Sequence, residues 1–145
     1  MELWRYPVKS LGGERLAEAT LVNGGLAGDR HWAVMERQIR TAKQWPALMT
    51  LRARYLREPG AHDYGAQVAP VELSSPDGSR CRSDEPRVDE WLSGQLKKAA
   101  RLMAREPADR LAHYRRASAV TEADLNTEIA PQPGEVLPTY EAVPA

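Results

Sequence analysis

Glycine and proline cut this chain into pieces too short for long helices, and their spacing constrains the fold more than any other feature. Ten glycines and eleven prolines are spread over 145 residues. Pro7, Gly12-Gly13, Gly24-Gly25, Gly28, Pro46, and the Pro76-Asp77-Gly78 turn each close one run of strand-compatible residues or precede the next. The runs are residues 2–6, 19–22, 31–35, 47–55, 67–73 and 79–82. Residues 2–6 alternate apolar and polar side chains, and 47–55 alternate throughout, placing Arg52 and Arg54 on one face. Short strands with such punctuation predict a mainly β, α+β fold with one or two helices. The expected form is a small β-barrel or a strongly twisted sheet with a helix packed on it.

One segment breaks the pattern. Val88, Trp91, Leu92 and Leu96 recur at helical spacing, and that stripe predicts a helix lying on the sheet. Ser83 or Asp84 is the expected cap, Glu85 favours the positive helix end, and Pro86 fits a first turn. Gly94 weakens this helix slightly. Trp4, Trp32, Trp45 and Trp91 are expected in the core or at its edge.

Residues 1–105 carry these elements as one β domain. The remainder, 106–145, reads as an Arg- and Pro-rich connecting segment, with Arg110, Arg115 and Arg116 on a solvated face. Residues 121–124 resemble a capped helical turn, and Pro131, Pro133, Pro138 and Pro144 make the tail a linker or extended arm.

Composition excludes several functions. Hydrophobic residues make up 42% of the chain, enough for a core. Twenty basic residues balance twenty acidic ones, so there is no charge footprint for nucleic acid. No apolar run is long enough to cross a bilayer and no signal peptide is visible, which points away from membranes and toward the cytoplasm. Cys81 is the single cysteine, so intramolecular disulfides and CxxC-type metal sites are ruled out. Its neighbours Arg80 and Arg82 favour a thiolate, but no histidine is near in sequence, and a structural cysteine is the preferred reading. His31, His62 and His113 are too scattered to suggest a metal centre.

Three short polar segments can carry chemistry. In Arg5-Tyr6-Pro7-Val8-Lys9-Ser10, a lysine and a hydroxyl share a loop after a strand, and both can reach one anion. In Gly25-Leu26-Ala27-Gly28-Asp29-Arg30-His31-Trp32, an arginine sits between a glycine turn and an aromatic strand, with Asp29 placed to orient it or cap the turn. Thr41-Ala42-Lys43-Gln44 adds a hydroxyl, a cation and an amide. If the three loops share one rim, they form a cationic pocket suited to a phosphorylated cofactor. Taken singly, each has a plainer reading: Lys9-Ser10 as a solvated turn, Asp29-Arg30 as a local ion pair, and 41–44 as a hairpin rim.

Taken together, the Leu3-Trp4-Arg5-Tyr6-Pro7-Val8-Lys9-Ser10, Gly25-Leu26-Ala27-Gly28-Asp29-Arg30-His31-Trp32 and Thr41-Ala42-Lys43-Gln44 motifs closely resemble the N-terminal β-barrel domain of MOSC proteins. That family includes relatives of the mitochondrial amidoxime-reducing component. The resemblance covers roughly residues 2–105. It implies contact with the molybdopterin form of the molybdenum cofactor, chiefly its phosphate side, through Lys9, Ser10 and Arg30. Lys43 stands where the family usually has arginine and is a fourth candidate. No catalytic or metal-ligating residue is implied here, because the family's metal-ligating cysteine lies in the MOSC domain proper, which the connecting segment is expected to precede. The cofactor site is therefore expected to be incomplete in this chain, which alone would not catalyse the family's oxidoreductase or sulfur-handling chemistry. A separate MOSC or redox-partner protein is an expected partner. The rival reading is a stand-alone, non-catalytic binding or interaction module, with a phosphorylated ligand such as pyridoxal phosphate.

Overall fold

The computed structural model describes residues 2–22, 25–107 and 109–110. The expected turn at Asn23-Gly24, most of the connecting segment, the 121–124 turn and the proline-rich tail lie outside them.

Strand β1 (Leu3–Arg5) pairs antiparallel with β2 (Glu14–Leu16). Strands β3 (Leu21–Val22) and β4 (Gly25–Leu26) form a minimal hairpin. β5 (Trp32–Met35) reaches across the sequence to β9 (Arg101–Ala104), and β6 (Arg52–Tyr55), β7 (Val71–Ser74) and β8 (Arg80–Arg82) form a three-stranded meander. Among the described residues the architecture is thus mainly β, in four small sheets rather than one, with a single α-helix, α1 (Val88–Leu96).

Residues 8–12 stitch the sheets together. Val8 bridges Trp32 in β5, and Gly12 bridges Arg52 in β6, both in parallel sense. The resulting order runs β8-β7-β6, across residues 12 and 8, to β5-β9. Helix α1 packs on β9 and also on β8, the two strands at the ends of that order.

Alternation explains the meander. Ala53 and Tyr55 point inward with Val71, Leu73 and Cys81, while Arg54 and Arg80 meet Glu72 on the outer face. Leu48, Leu92, Val34 and Val8 are fully buried and complete the core from the other elements.

Four sequence expectations change. The run 47–55 is not one strand: Pro46–Thr50 forms a 3-10 turn, and only Arg52–Tyr55 is extended. Proline pre-sets the first turn, Thr50 Oγ1 donates to the Ala47 carbonyl at 2.8 Å, and buried Leu48 anchors the turn. Neither Ser83 nor Asp84 caps α1. Ser83 Oγ accepts from the Val71 N–H and Asp84 holds Arg82, so the helix begins later, after Arg87. Residues 67–73 contribute a strand only from Val71 onward, following a 3-10 turn at Gly65–Gln67. Trp4 is a surface residue, 37% exposed, with its indole N–H directed to Glu2; Trp45 is buried, while Trp32 and Trp91 flank the core.

Candidate anion-binding cavity

The loop after β1 is fixed by backbone hydrogen bonds on two sides. On one side the Arg30 N–H donates to the Tyr6 carbonyl at 2.7 Å, Trp32 to Pro7 at 3.0 Å, and Lys9 to Trp32 at 2.9 Å. On the other, Gly12 donates to Leu51 at 2.8 Å and Ala53 donates to Gly12 at 2.9 Å. Asp29 adds a side-chain clamp by accepting from the Tyr6 N–H at 3.0 Å. Residues 5–12, 29–32 and 51–53 therefore hold one another in register.

Two glycines make this packing possible. A Cβ on Gly13 would lie 2.3 Å from the Arg5 carbonyl oxygen. Gly28 adopts φ +84 in a turn closed by the Asp29 N–H on Leu26, and a Cβ there would strike Pro59 at 2.3 Å. The Tyr55 hydroxyl donates to the Gly28 carbonyl at 2.8 Å, fixing the turn from below. Beneath it, buried Arg5 donates to Glu14 at 2.8 Å and Glu58 at 2.7 Å, and stacks on Tyr55. The charge of the strand's last residue is thus spent internally, and Arg5 does not line the cavity described next.

Two residues beside this frame hold left-handed backbone without being glycine: Ser10, at φ 68, and Arg30, at φ 55. Such a conformation costs an L-residue about 1 kcal/mol and persists where the surroundings dictate it. Ser10 is the third residue of a turn closed by the Leu11 N–H on Val8, a position where glycine is usual. Both side chains border the same open cavity of about 430 Å³, lined by Tyr6, Lys9, Ser10, Leu11, Gly12, Arg30, Thr41, Ala42 and Met49.

All three polar segments therefore contribute to one rim. Lys9, Ser10 and Arg30 line the cavity together; Lys43 is exposed on its turn and is not among the lining residues. Gln44 is engaged locally, its side-chain oxygen accepting from the Thr41 N–H at 3.2 Å. Among the described residues, the Lys9 ammonium and the Ser10 hydroxyl have no protein partner. The Arg30 side chain, 66% exposed, has only a loose pairing with Asp29 at 3.6 Å. The cavity thus gathers donors whose hydrogen-bonding capacity the fold leaves largely unused.

His31 follows Arg30 but turns inward, and its Nδ1 is buried without a partner. Burial, with the Arg105 charge adding to it, lowers its pKa to about 4, so the ring is neutral at neutral pH. Cys81 is buried on the inner face of β8. Burial and the nearby Glu85 carboxylate push its thiol up, while Arg80 and Arg82 face outward to Glu72 and Asp84. Among the described residues, no group of three or more His, Cys, Asp or Glu side chains is placed to hold a metal ion. Among the same residues, no helix is long and apolar enough to cross a membrane.

Sequence reasoning found the cations of this cavity but not its apolar walls. Met49 was hidden because the alternating run placed it on a strand; Tyr6 and Leu11 carry no signal apart from their neighbours. The only available cue was Pro46, which starts the turn that carries Met49.

These features define a small, mainly β domain of short ladders with a donor-lined cavity on its rim. The family model for the MOSC N-terminal beta barrel domain matches residues 1–99, more than half of the chain, and the protein belongs to that family. No curated protein matches it.

Proposed function

We propose that this chain binds the phosphate-bearing end of the molybdenum cofactor in its molybdopterin form, as the N-terminal domain of a MOSC protein. One observation carries the reading. Lys9 and Ser10 from one loop and Arg30 from another line one cavity and keep donors free for an anion. A phosphate monoester offers acceptor oxygens to a lysine, a hydroxyl and a guanidinium at once.

The residues lining the cavity, two cations and a hydroxyl, fit that end of the cofactor. When bound, the cofactor supplies a redox-active molybdenum centre. This chain's part is to hold and orient: Lys9 neutralises phosphate charge, Ser10 donates a directed hydrogen bond, and Arg30 adds a planar donor pair. Metal ligation and electron transfer are assigned to another domain or a partner chain, and the cytoplasm is the proposed compartment.

The test is to express the chain in a host that makes molybdopterin and measure the fluorescent oxidised pterin that co-purifies. Pterin is expected with the wild-type chain and lost in the Lys9→Ala/Arg30→Ala double variant. A chain that folds and carries no pterin, yet retains a stoichiometric partner protein, would instead establish an interaction module.

A further inference from the structure

Five large apolar side chains stand exposed on the described surface: Trp4, Tyr6, Leu21, Met49 and Leu56. Two of them, Tyr6 at 42% and Met49 at 69% exposure, line the same cavity as Lys9, Ser10 and Arg30. They reach it from different elements. Tyr6 leaves the end of β1, and Met49 projects from the 3-10 turn whose preceding residue, Leu48, enters the core. The fold therefore turns one apolar side chain of that turn inward and leaves the next one standing at the cavity.

Volume points the same way. About 430 Å³ lies in the range of small-molecule sites and far exceeds what one tetrahedral phosphate fills. The lining also includes Tyr6, Leu11, Ala42 and Met49, which offer carbon and sulfur surface. A methionine thioether and a tyrosine ring pack favourably against a flat π-system.

We infer that Tyr6 and Met49 are specificity-determining residues that select a phosphate monoester carrying a planar ring over phosphate alone. The inference rests on the phosphate reading of the site and adds a contact to the body of the ligand. The cations supply attraction for any small phosphate, while the two apolar side chains discriminate by what is attached to it. Met49 contributes little to the core at its exposure, so its replacement separates ligand preference from folding.

The test uses the whole chain and two simple probes, methyl phosphate and 1-naphthyl phosphate, by calorimetric titration. The naphthyl ester is expected to bind about tenfold more tightly or better, and Met49→Ser and Tyr6→Ser should each reduce that ratio about three- to tenfold. Melting curves of the variants show that each still folds. Equal affinity for the two esters, or a ratio unchanged in both variants, overturns the inference while the phosphate site stands. Failure of both esters to bind, or affinities untouched by Lys9→Ala/Arg30→Ala, sinks the phosphate site itself and the inference with it.

Discussion

His31 shows how a single residue ties the cavity frame to pH. Its backbone carbonyl accepts from the Arg105 N–H at 2.7 Å, and its ring lies in the interior with Nδ1 unpartnered. Folding lowers its pKa from the ordinary 6.5 to about 4. The unfolded chain therefore takes up a proton near pH 6.5 that the folded chain refuses until about pH 4. Stability from this residue is complete above pH 6.5 and is lost as pH falls toward 4. Between pH 6.5 and 5 the loss is about 1.5 kcal/mol, before most carboxylates begin to titrate. Chemical denaturation across that window should show the decline in the wild-type chain and a flatter profile in His31→Gln. Parallel profiles would mean that the buried ring does not govern acid stability. Asp29 and Asp63 oppose the shift and Arg5 supports it, so the net direction is set by burial first and Arg105 second.

At the level of elements, two glycines with opposite environments make a paired prediction. Gly94 lies within α1, where an added methyl meets nothing within 4 Å. Gly94→Ala should stabilise the protein by about 0.5–1 kcal/mol through helix propensity and a less disordered unfolded state. Gly13→Ala drives a Cβ against the Arg5 carbonyl and the Tyr6 ring, beside a loop held by backbone hydrogen bonds on two sides, and should cost more than about 2 kcal/mol. Urea melts of the two variants check both signs. The helical glycine was legible in sequence because its effect is local. The glycine at 13 was legible only as a turn, since its obligation comes from β1 folding back beside it. The same division holds for strands. Arg52–Tyr55 announces itself by alternation, whereas Glu14–Leu16 and Arg101–Ala104 carry no local pattern and are strands because β1 and β5 offer them edges. Pro46–Thr50 was misread because apolar alternation mimics a strand when a proline-initiated turn buries Leu48 alone.

On the scale of the whole molecule, charge decides how the cavity meets its ligand. The chain carries twenty basic and twenty acidic residues, so it has no net charge to steer an anion from a distance. Attraction must come from Lys9 and Arg30 at close range. The arginine is 66% exposed, so salt screens its part readily. Two consequences follow for a phosphate monoester added to the folded chain. At a hundredfold excess over its dissociation constant it should stabilise the protein by about 2.7 kcal/mol, read as a raised melting temperature. That rise should shrink markedly as sodium chloride goes from low to about half-molar concentration, and it should be absent in Lys9→Ala/Arg30→Ala at every salt level. A rise that persists in the double variant would show that the anion acts by general exclusion from the protein surface. In that case the convergence of the three segments on one rim would be a feature of the fold alone, and Ser10 and Arg30 would hold their left-handed backbones for packing and not for a ligand.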